Sequence, residues 1–248
     1  MIRISIIKSD ARMARLAELL RQDGLETALF APEEAQEAAD FGQVIVLPLK
    51  GPGPELFAGL LERGQELVCG QDFLQREDFS VLNAIPTVEG ALQIALEQTP
   101  HTLHSSLCCV LGYGRIGKLL ADALGALGAQ VSVAARKPED FAWIRAKGYT
   151  ALHSLRLEGT LGEQDVIFNT APHMLLPHAR LAELKKSCVL LDLASAPGGI
   201  DLKAAQKLGL RAQTALGLPG RIAPESAAVY LRDTLFTILQ ERNVLGKG

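Results

Sequence analysis

One hexapeptide concentrates the chemistry this sequence can do. Gly112-Tyr113-Gly114-Arg115-Ile116-Gly117 is a complete G-x-G-x-x-G. Glycines at that spacing let the chain turn tightly, bring its backbone against a pyrophosphate, and pack a helix closely on a strand. Free N–H groups at the helix start then face the phosphate charge. The pattern carries weight only between a strand and a helix. Here the apolar run Leu107–Leu111 precedes it, and a helical segment, Arg115–Leu127, closed by Gly128, follows. The competing reading is a glycine-rich turn that binds nothing.

The end of the next strand discriminates between dinucleotides. About 20 residues beyond the first glycine, an NAD site places an acidic side chain on the ribose hydroxyls. This chain has Val133-Ala134-Ala135-Arg136-Lys137 there. No carboxylate stands at that strand end to repel a 2′-phosphate, and a guanidinium matches phosphate oxygens well. The segment therefore favours NADP, with Ala135, Arg136 and Lys137 as contacts; otherwise the two cations are solvated loop charges. Two later strand ends are small and polar: Asn169-Thr170-Ala171-Pro172, and Leu193-Ala194-Ser195 leading to Pro197-Gly198-Gly199. Small residues there let a nicotinamide ring lie near the backbone. A third loop, Gly217–Pro224, precedes the last helix. Ordinary turn chemistry also uses these residue types.

Other chemistries find little support. The five histidines form no triad pattern, and only His173 falls near an expected ligand edge. Neither G-x-S-x-G nor H-E-x-x-H occurs. Cys69, Cys108, Cys109 and Cys188 form no C-x-x-C pair and sit in apolar, strand-like runs. They read as buried free thiols in a reducing compartment, and no metal site is expected.

These groups need a scaffold, and the chain supplies two α/β runs. In the first, Ile2–Ile7, Leu25–Phe30, Val44–Leu47 and Leu67–Cys69 read as strands. Helices are expected at Ala11–Gln22 and Glu55–Arg63, with a Gly/Pro loop at 51–54. Pro86–Gln98 reads as a linking helix with Pro86 in its first turn. The second run holds strands at Leu107–Leu111, Gln130–Ala135, Asp165–Asn169, Cys188–Leu193 and Leu210–Thr214. Helices lie between them, and Ala223–Gln240 is the final helix. Alternating strands and helices imply parallel sheets. The fold class is α/β: a Rossmann domain over 86–224, and a smaller flavodoxin-like domain over 1–85 that regains 225–248. The two are expected to enclose a cleft.

Composition agrees. Of 248 residues, 25 are Lys or Arg and 28 are Asp or Glu, a net charge of −3, which disfavours a nucleic-acid binder. A hydrophobic content of 48% can build a core. No secretory signal is read at the start, and no uninterrupted apolar stretch approaches the roughly 20 residues of a membrane span. A cytoplasmic protein is expected.

Taken together, several segments resemble the dipicolinate synthase A-subunit family of spore-forming bacteria. They are Asn83–Gly90, the Val110–Gly117 fingerprint, Leu191–Ser195 with Pro197-Gly198-Gly199, and Gly217–Gly220 with Ala223-Pro224. The resemblance covers about residues 79–240. It implies a two-domain, NADP-using oxidoreductase component, similar in fold to D-2-hydroxyacid and alanine dehydrogenases. It implies a dihydrodipicolinate-type substrate from the lysine pathway and pyridine-2,6-dicarboxylate as product in sporulation. The implied partner is the flavoprotein-like B-subunit of dipicolinate synthase. Homo-oligomerisation is compatible. Ala196 departs from the basic residue that members often carry. A dianionic substrate wants cations, and Arg12, Lys50 and Arg221 fall at expected strand ends or adjoining loops. Glu89 is the candidate acid/base, or else an orienting group or a helix-start charge. The alternatives are a 2-hydroxyacid-dehydrogenase-like enzyme, disfavoured by the lack of a clear histidine–carboxylate pair, and a non-catalytic NADP-binding partner protein.

Overall fold

The computed structural model describes residues 2–245. Aliphatic strands alternate with helices, and the result is two all-parallel sheets. The chain divides into two units. One holds the described residues up to Pro86 and those from Pro219 onward; the other is Thr87–Leu218.

The first unit begins with β1 (Arg3–Ile7), α1 (Ala11–Gln22) and β2 (Glu26–Phe30). A 3-10 turn at Pro32–Glu34 leads into α2 (Ala35–Phe41) and β3 (Val44–Val46). After another 3-10 turn at Pro54–Phe57 come β4 (Glu66–Val68), α3 (Gly70–Leu74) and the start of α4 (Glu77–Gln98). The strand order is β2-β1-β3-β4. Ile4, Ile6 and Ile7 of β1 are fully buried, as both faces of a covered parallel sheet require. Asp10 caps α1 by accepting the Arg12 N–H. Met13, Leu16 and Leu20 on that helix pack with Leu231, Leu235 and Ile238 near the C-terminus.

The second unit carries β5 (Leu107–Leu111), α5 (Arg115–Ala126), β6 (Gln130–Ala135), α6 (Pro138–Ala146) and β7 (Thr150–His153). It continues with β8 (Val166–Asn169), α7 (His178–Leu181), β9 (Val189–Asp192), α8 (Leu202–Lys207) and β10 (Arg211–Thr214). Then α9 (Leu218–Ile222) and α10 (Pro224–Glu241) return the chain to the first unit. The order is β10-β9-β8-β5-β6-β7. It reverses between β5 and β8, where open α/β sheets bind ligands beyond their strand ends.

Four local differences from the sequence reading have physical causes. Helix α4 starts at Glu77, so Pro86 lies inside it rather than in its first turn. Buried Phe79 and Ala84 anchor the added turns, while Glu77 and Asp78 complement the helix dipole. That longer helix is apolar enough to cross a membrane by length and composition alone, yet it carries Asn83, Glu89 and Glu97. The helix expected over Glu55–Arg63 shrinks to one 3-10 turn, because Gly59 and Gly64 adopt positive φ. Strand β7 is short and half-exposed, so it shows no apolar run. The Gly217–Pro224 loop contains a helical turn, α9.

Candidate cofactor site

The three fingerprint glycines have three different surroundings. Gly112 has φ +106, and a Cβ there would meet Thr170 Oγ1 at 2.5 Å. A Cβ on Gly117 would collide with the Gly112 carbonyl oxygen. Both positions are closed by protein, so strand β5 and helix α5 approach closely. Thr170 completes this packing, donating from Oγ1 to the Leu111 carbonyl at 3.0 Å. Gly114 differs: nothing lies within 4 Å of a Cβ built on it. It stands at the N-cap of α5 with extended backbone. A pyrophosphate can therefore reach the backbone there and take the N–H groups of the first turn. The residues present fit a nicotinamide dinucleotide.

A cavity of about 470 Å³ opens from this loop. Gly112, Tyr113, Gly114, Ala135, Arg136, Lys137, Thr170 and Ala171 line it. Of the other expected contacts, Arg115 and Ile116 begin α5, and Gly117 packs against β5. Asn169, Leu193, Ala194 and Ser195 do not line the cavity. Sequence reading missed Lys118, Asp140 and Ser154, which do. Lys118 is one turn into α5, where helical spacing could have placed it. Asp140 stands in the first turn of α6, beyond the strand end where an NAD site would carry its carboxylate. Ser154 follows β7, itself unrecognised. His173, singled out by its position, also lines the cavity, and its Nε2 is buried without a hydrogen-bond partner.

Among the charged residues of the wall, cations outnumber carboxylates, with Lys118, Arg136 and Lys137 against Asp140. Arg136 is exposed and has no ion-pair partner among the described residues, while Lys137 Nζ lies 4.0 Å from Glu139. Lys118 Nζ sits 5.4 Å from the centre of the Tyr113 ring. Burial pushes the Tyr113 hydroxyl pKa up; Lys147 opposes this, and Asp122 and Asp140 add to it. Tyr113 is thus a neutral hydroxyl at neutral pH.

The ends of β8 and β9 are saturated instead. Asp192, 1% exposed, accepts from Asn169 Nδ2 at 2.8 Å and from the N–H groups of Ala194, Gly199 and Ile200. Asn169 Nδ2 also donates to the Ala171 carbonyl, and its Oδ1 accepts the Ala171 N–H. The Asn169 amide thus positions the Thr170–Ala171 backbone. The three buried thiols are equally occupied with structure; burial pushes Cys108, Cys109 and Cys188 up to about 12.

The four candidate substrate residues are less uniform. Arg12 is buried and paired with Asp10, Nη2 to Oδ2 at 2.6 Å. Burial raises the Asp10 pKa, but the Arg12 hydrogen bonds and charge outweigh it and hold the carboxyl below its usual range. A Cβ on Gly220 would meet Asp10 Oδ2 at 2.7 Å and Arg12 Nε at 2.8 Å. Helix α9 thus rests on this pair, and Arg221 follows directly. Arg221 and Lys50 are exposed, with no ion-pair partner among the described residues. Glu89 is exposed as well. It shares a shallow groove with Leu92, Gln93, Leu96, Glu97 and Leu127, away from the glycine-loop cavity. Helical spacing explains this: Val88, Ala91 and Ala95 turn inward, which leaves Glu89 on the outer face.

Comparison with known proteins follows the same division. The D-isomer specific 2-hydroxyacid dehydrogenase NAD binding domain matches residues 87–203, so the second unit is a nicotinamide-dinucleotide-binding domain of dehydrogenase type. The dipicolinate synthase A-subunit of Bacillus subtilis (strain 168) is 37% identical over 192 residues. That match covers 75% of this chain and 65% of the relative, slightly under two thirds of its length. The crystal structure of the dipicolinate synthase A-subunit from Bacillus halodurans superposes with a TM-score of 0.85 at 27% identity, covering 96% of this chain and 97% of that one. The crystal structure of the Bacillus subtilis protein gives 0.82 at 28% identity, covering 98% and 97%. In sequence and in fold the chain is similar to dipicolinate synthase A-subunits.

Proposed function

We propose that this chain is the dehydrogenase component of a dipicolinate synthase. It would oxidise a dihydrodipicolinate-type dicarboxylate to pyridine-2,6-dicarboxylate with NADP, in the cytoplasm of a sporulating cell and beside a flavoprotein-like B-subunit. The observation that carries the cofactor reading is Gly114, the one fingerprint glycine facing open space at a helix start. A bound NADP⁺ supplies a hydride acceptor. Gly112–Gly114 and the first turn of α5 would hold its pyrophosphate, and Arg136 with Lys137 its 2′-phosphate. The Asn169–Asp192 bonds hold the Thr170–Ala171 wall in place. Loss of a hydride and a proton from a dihydropyridine yields an aromatic ring, so the protein mainly has to orient the acid. Arg221 and Lys50, exposed and without ion-pair partners among the described residues, are the cations proposed to meet its carboxylates. Arg12 acts beside them by fixing Asp10 and α9. This makes the smaller unit the substrate-side domain.

Asp140 favours a second reading of the cofactor. A carboxylate in that cavity could hold ribose hydroxyls, as an NAD site requires. Fluorescence titration with NADPH and NADH separates the two. Tighter NADH binding rejects the NADP reading. Activity is tested by following pyridine-2,6-dicarboxylate absorbance with NADP⁺ and the dihydro-acid, with and without the flavoprotein-like partner. No product with that partner present rejects the substrate.

A further inference from the structure

We infer that the Ser154 hydroxyl is a ligand, beside Arg136, for the 2′-phosphate of NADP. The inference rests on the cofactor reading above and adds a specificity residue to it. Ser154 is the first residue after β7, and its N–H donates to the Ala135 carbonyl at 2.9 Å. Ala135 in turn pairs with His153 across the two strands. Ser154 and Arg136 therefore leave neighbouring parallel strand ends side by side, and both line the cavity.

The state of the hydroxyl makes the residue informative. Ser154 is 7% exposed, and its Oγ is buried with no hydrogen-bond partner. Buried hydroxyls are nearly always satisfied, because the O–H rotates to suit its neighbours. Serines after a strand commonly serve the turn that follows. Here His153 does that work: its Nδ1 accepts the Leu155 N–H, and its carbonyl accepts the Arg156 N–H. Ser154 is left with a donor that no protein atom takes, in the wall of a cavity.

The surrounding charge selects the ligand. Lys118, Arg136 and Lys137 line the cavity against the single carboxylate of Asp140. A ribose hydroxyl gains little from such an excess, whereas a phosphate monoester is stabilised by it. Arg136 offers a planar fork of N–H groups, and the Ser154 O–H adds a short charge-assisted donor from the adjacent strand. Neither residue has a competing ion pair among those described.

The test compares ligands that differ only by the 2′-phosphate. The purified chain is titrated with NADPH and NADH, and with adenosine 2′,5′-bisphosphate and 5′-AMP. Ser154→Ala should weaken NADPH and the bisphosphate roughly ten- to a hundredfold, the loss expected for a hydrogen bond to a charged group. NADH and AMP should stay within about twofold. Ser154→Thr, which keeps the hydroxyl, should retain the preference and guards against a folding artefact in the alanine variant. If the unmodified protein binds NADH and AMP at least as well as their phosphorylated counterparts, the cofactor reading itself fails. If the preference exists, Arg136→Ala abolishes it and Ser154→Ala keeps it, the assignment of Ser154 is overturned while the cofactor reading stands. Equal weakening of all four ligands by Ser154→Ala also overturns the assignment, since it reports a distorted cavity.

Discussion

Two stretches of the same sheet edge treat their polar groups in opposite ways. Beyond β8 and β9, Asp192 receives four donors, and Asn169 spends its whole amide on Asp192 and Ala171. Beyond β5, β6 and β7, the backbone at Gly114 is open, Arg136 has no ion pair among the described residues, and Ser154 Oγ has no partner. Both stretches carry the glycines and small polar residues of ordinary turns, which alone do not tell scaffold from site. Hydrogen-bond satisfaction does. A polar group that the protein has already saturated builds the scaffold, and one it has left unsatisfied at a cavity wall awaits a ligand.

The strongest way to break this contrast is at Asp192. Asp192→Ala should lower unfolding free energy by roughly 3–5 kcal/mol, because it strands one buried amide and three buried N–H groups together. Urea denaturation measures it. A loss under about 1 kcal/mol would mean that water or local movement satisfies those donors, and the β8/β9 edge would not be a rigid wall.

Next come the paired glycines. Gly117→Ala forces a Cβ into the Gly112 carbonyl and should destabilise the fold by roughly 1–3 kcal/mol. Gly114→Ala meets no protein atom, so stability should fall by less than about 1 kcal/mol, the scale of an N-cap change. Its effect belongs to the ligand: dinucleotide affinity should drop at least about tenfold, since the methyl takes the space where the pyrophosphate approaches the backbone. Equal melting losses in the two variants, with binding intact in Gly114→Ala, would remove the open-site half of the contrast.

A third variant carries the scaffold rule to the opposite edge of the sheet. Asp165 accepts the Leu107 N–H at 2.8 Å and Lys185 Nζ at 2.7 Å, and His101 lies 3.7 Å away. Burial pushes its pKa up, but the Lys185 hydrogen bond, the Leu107 N–H and the nearby positive charges outweigh that and hold it below the usual value. A depressed carboxyl contributes stability above its unfolded pKa and loses it as pH falls through the folded one. Lys185→Met should therefore cost roughly 1–2 kcal/mol at pH 7 and progressively less below about pH 4. Thermal melts from pH 7 to pH 3 check this. A loss that does not shrink on acidification would assign the effect of Lys185 to packing.

How much of this was legible in the sequence depends on whether a feature is local. The Leu107–Leu111 strand, the fingerprint and the α5 start were readable because apolar period, glycine spacing and helix start fall within twenty residues. Strand β7 was not, since an exposed four-residue edge strand has no apolar signal; Ser154 was lost with it. Pro86 misled because a buried apolar face can outweigh the preference of proline for a helix start. Asn169 was placed at the right strand end, but its bonds could not be read there. Its partner Asp192 is 23 residues away, and the pairing exists only because β8 and β9 are neighbours. The place of Glu89 on the outer face of α4 could have been read from helical phase alone.

Asp140 gives the smallest expected effect and the sharpest use of the contrast, because it is the one carboxylate that lines the cavity beside Lys118, Arg136 and Lys137. If that cavity takes a 2′-phosphate, Asp140 repels it across solvent. Removing such a partly exposed like charge is worth roughly 0.5–1 kcal/mol, so Asp140→Asn should strengthen NADPH binding about two- to fivefold at low salt. The gain should fade as salt is raised toward about 0.5 M, because screening weakens the repulsion in the unmodified protein. NADH affinity should barely move. The opposite pattern, with NADH weakened and NADPH unchanged, would mean that Asp140 holds ribose hydroxyls. Arg136 and Lys137 would then revert to solvated loop charges, and the unsatisfied edge would be a site for NAD.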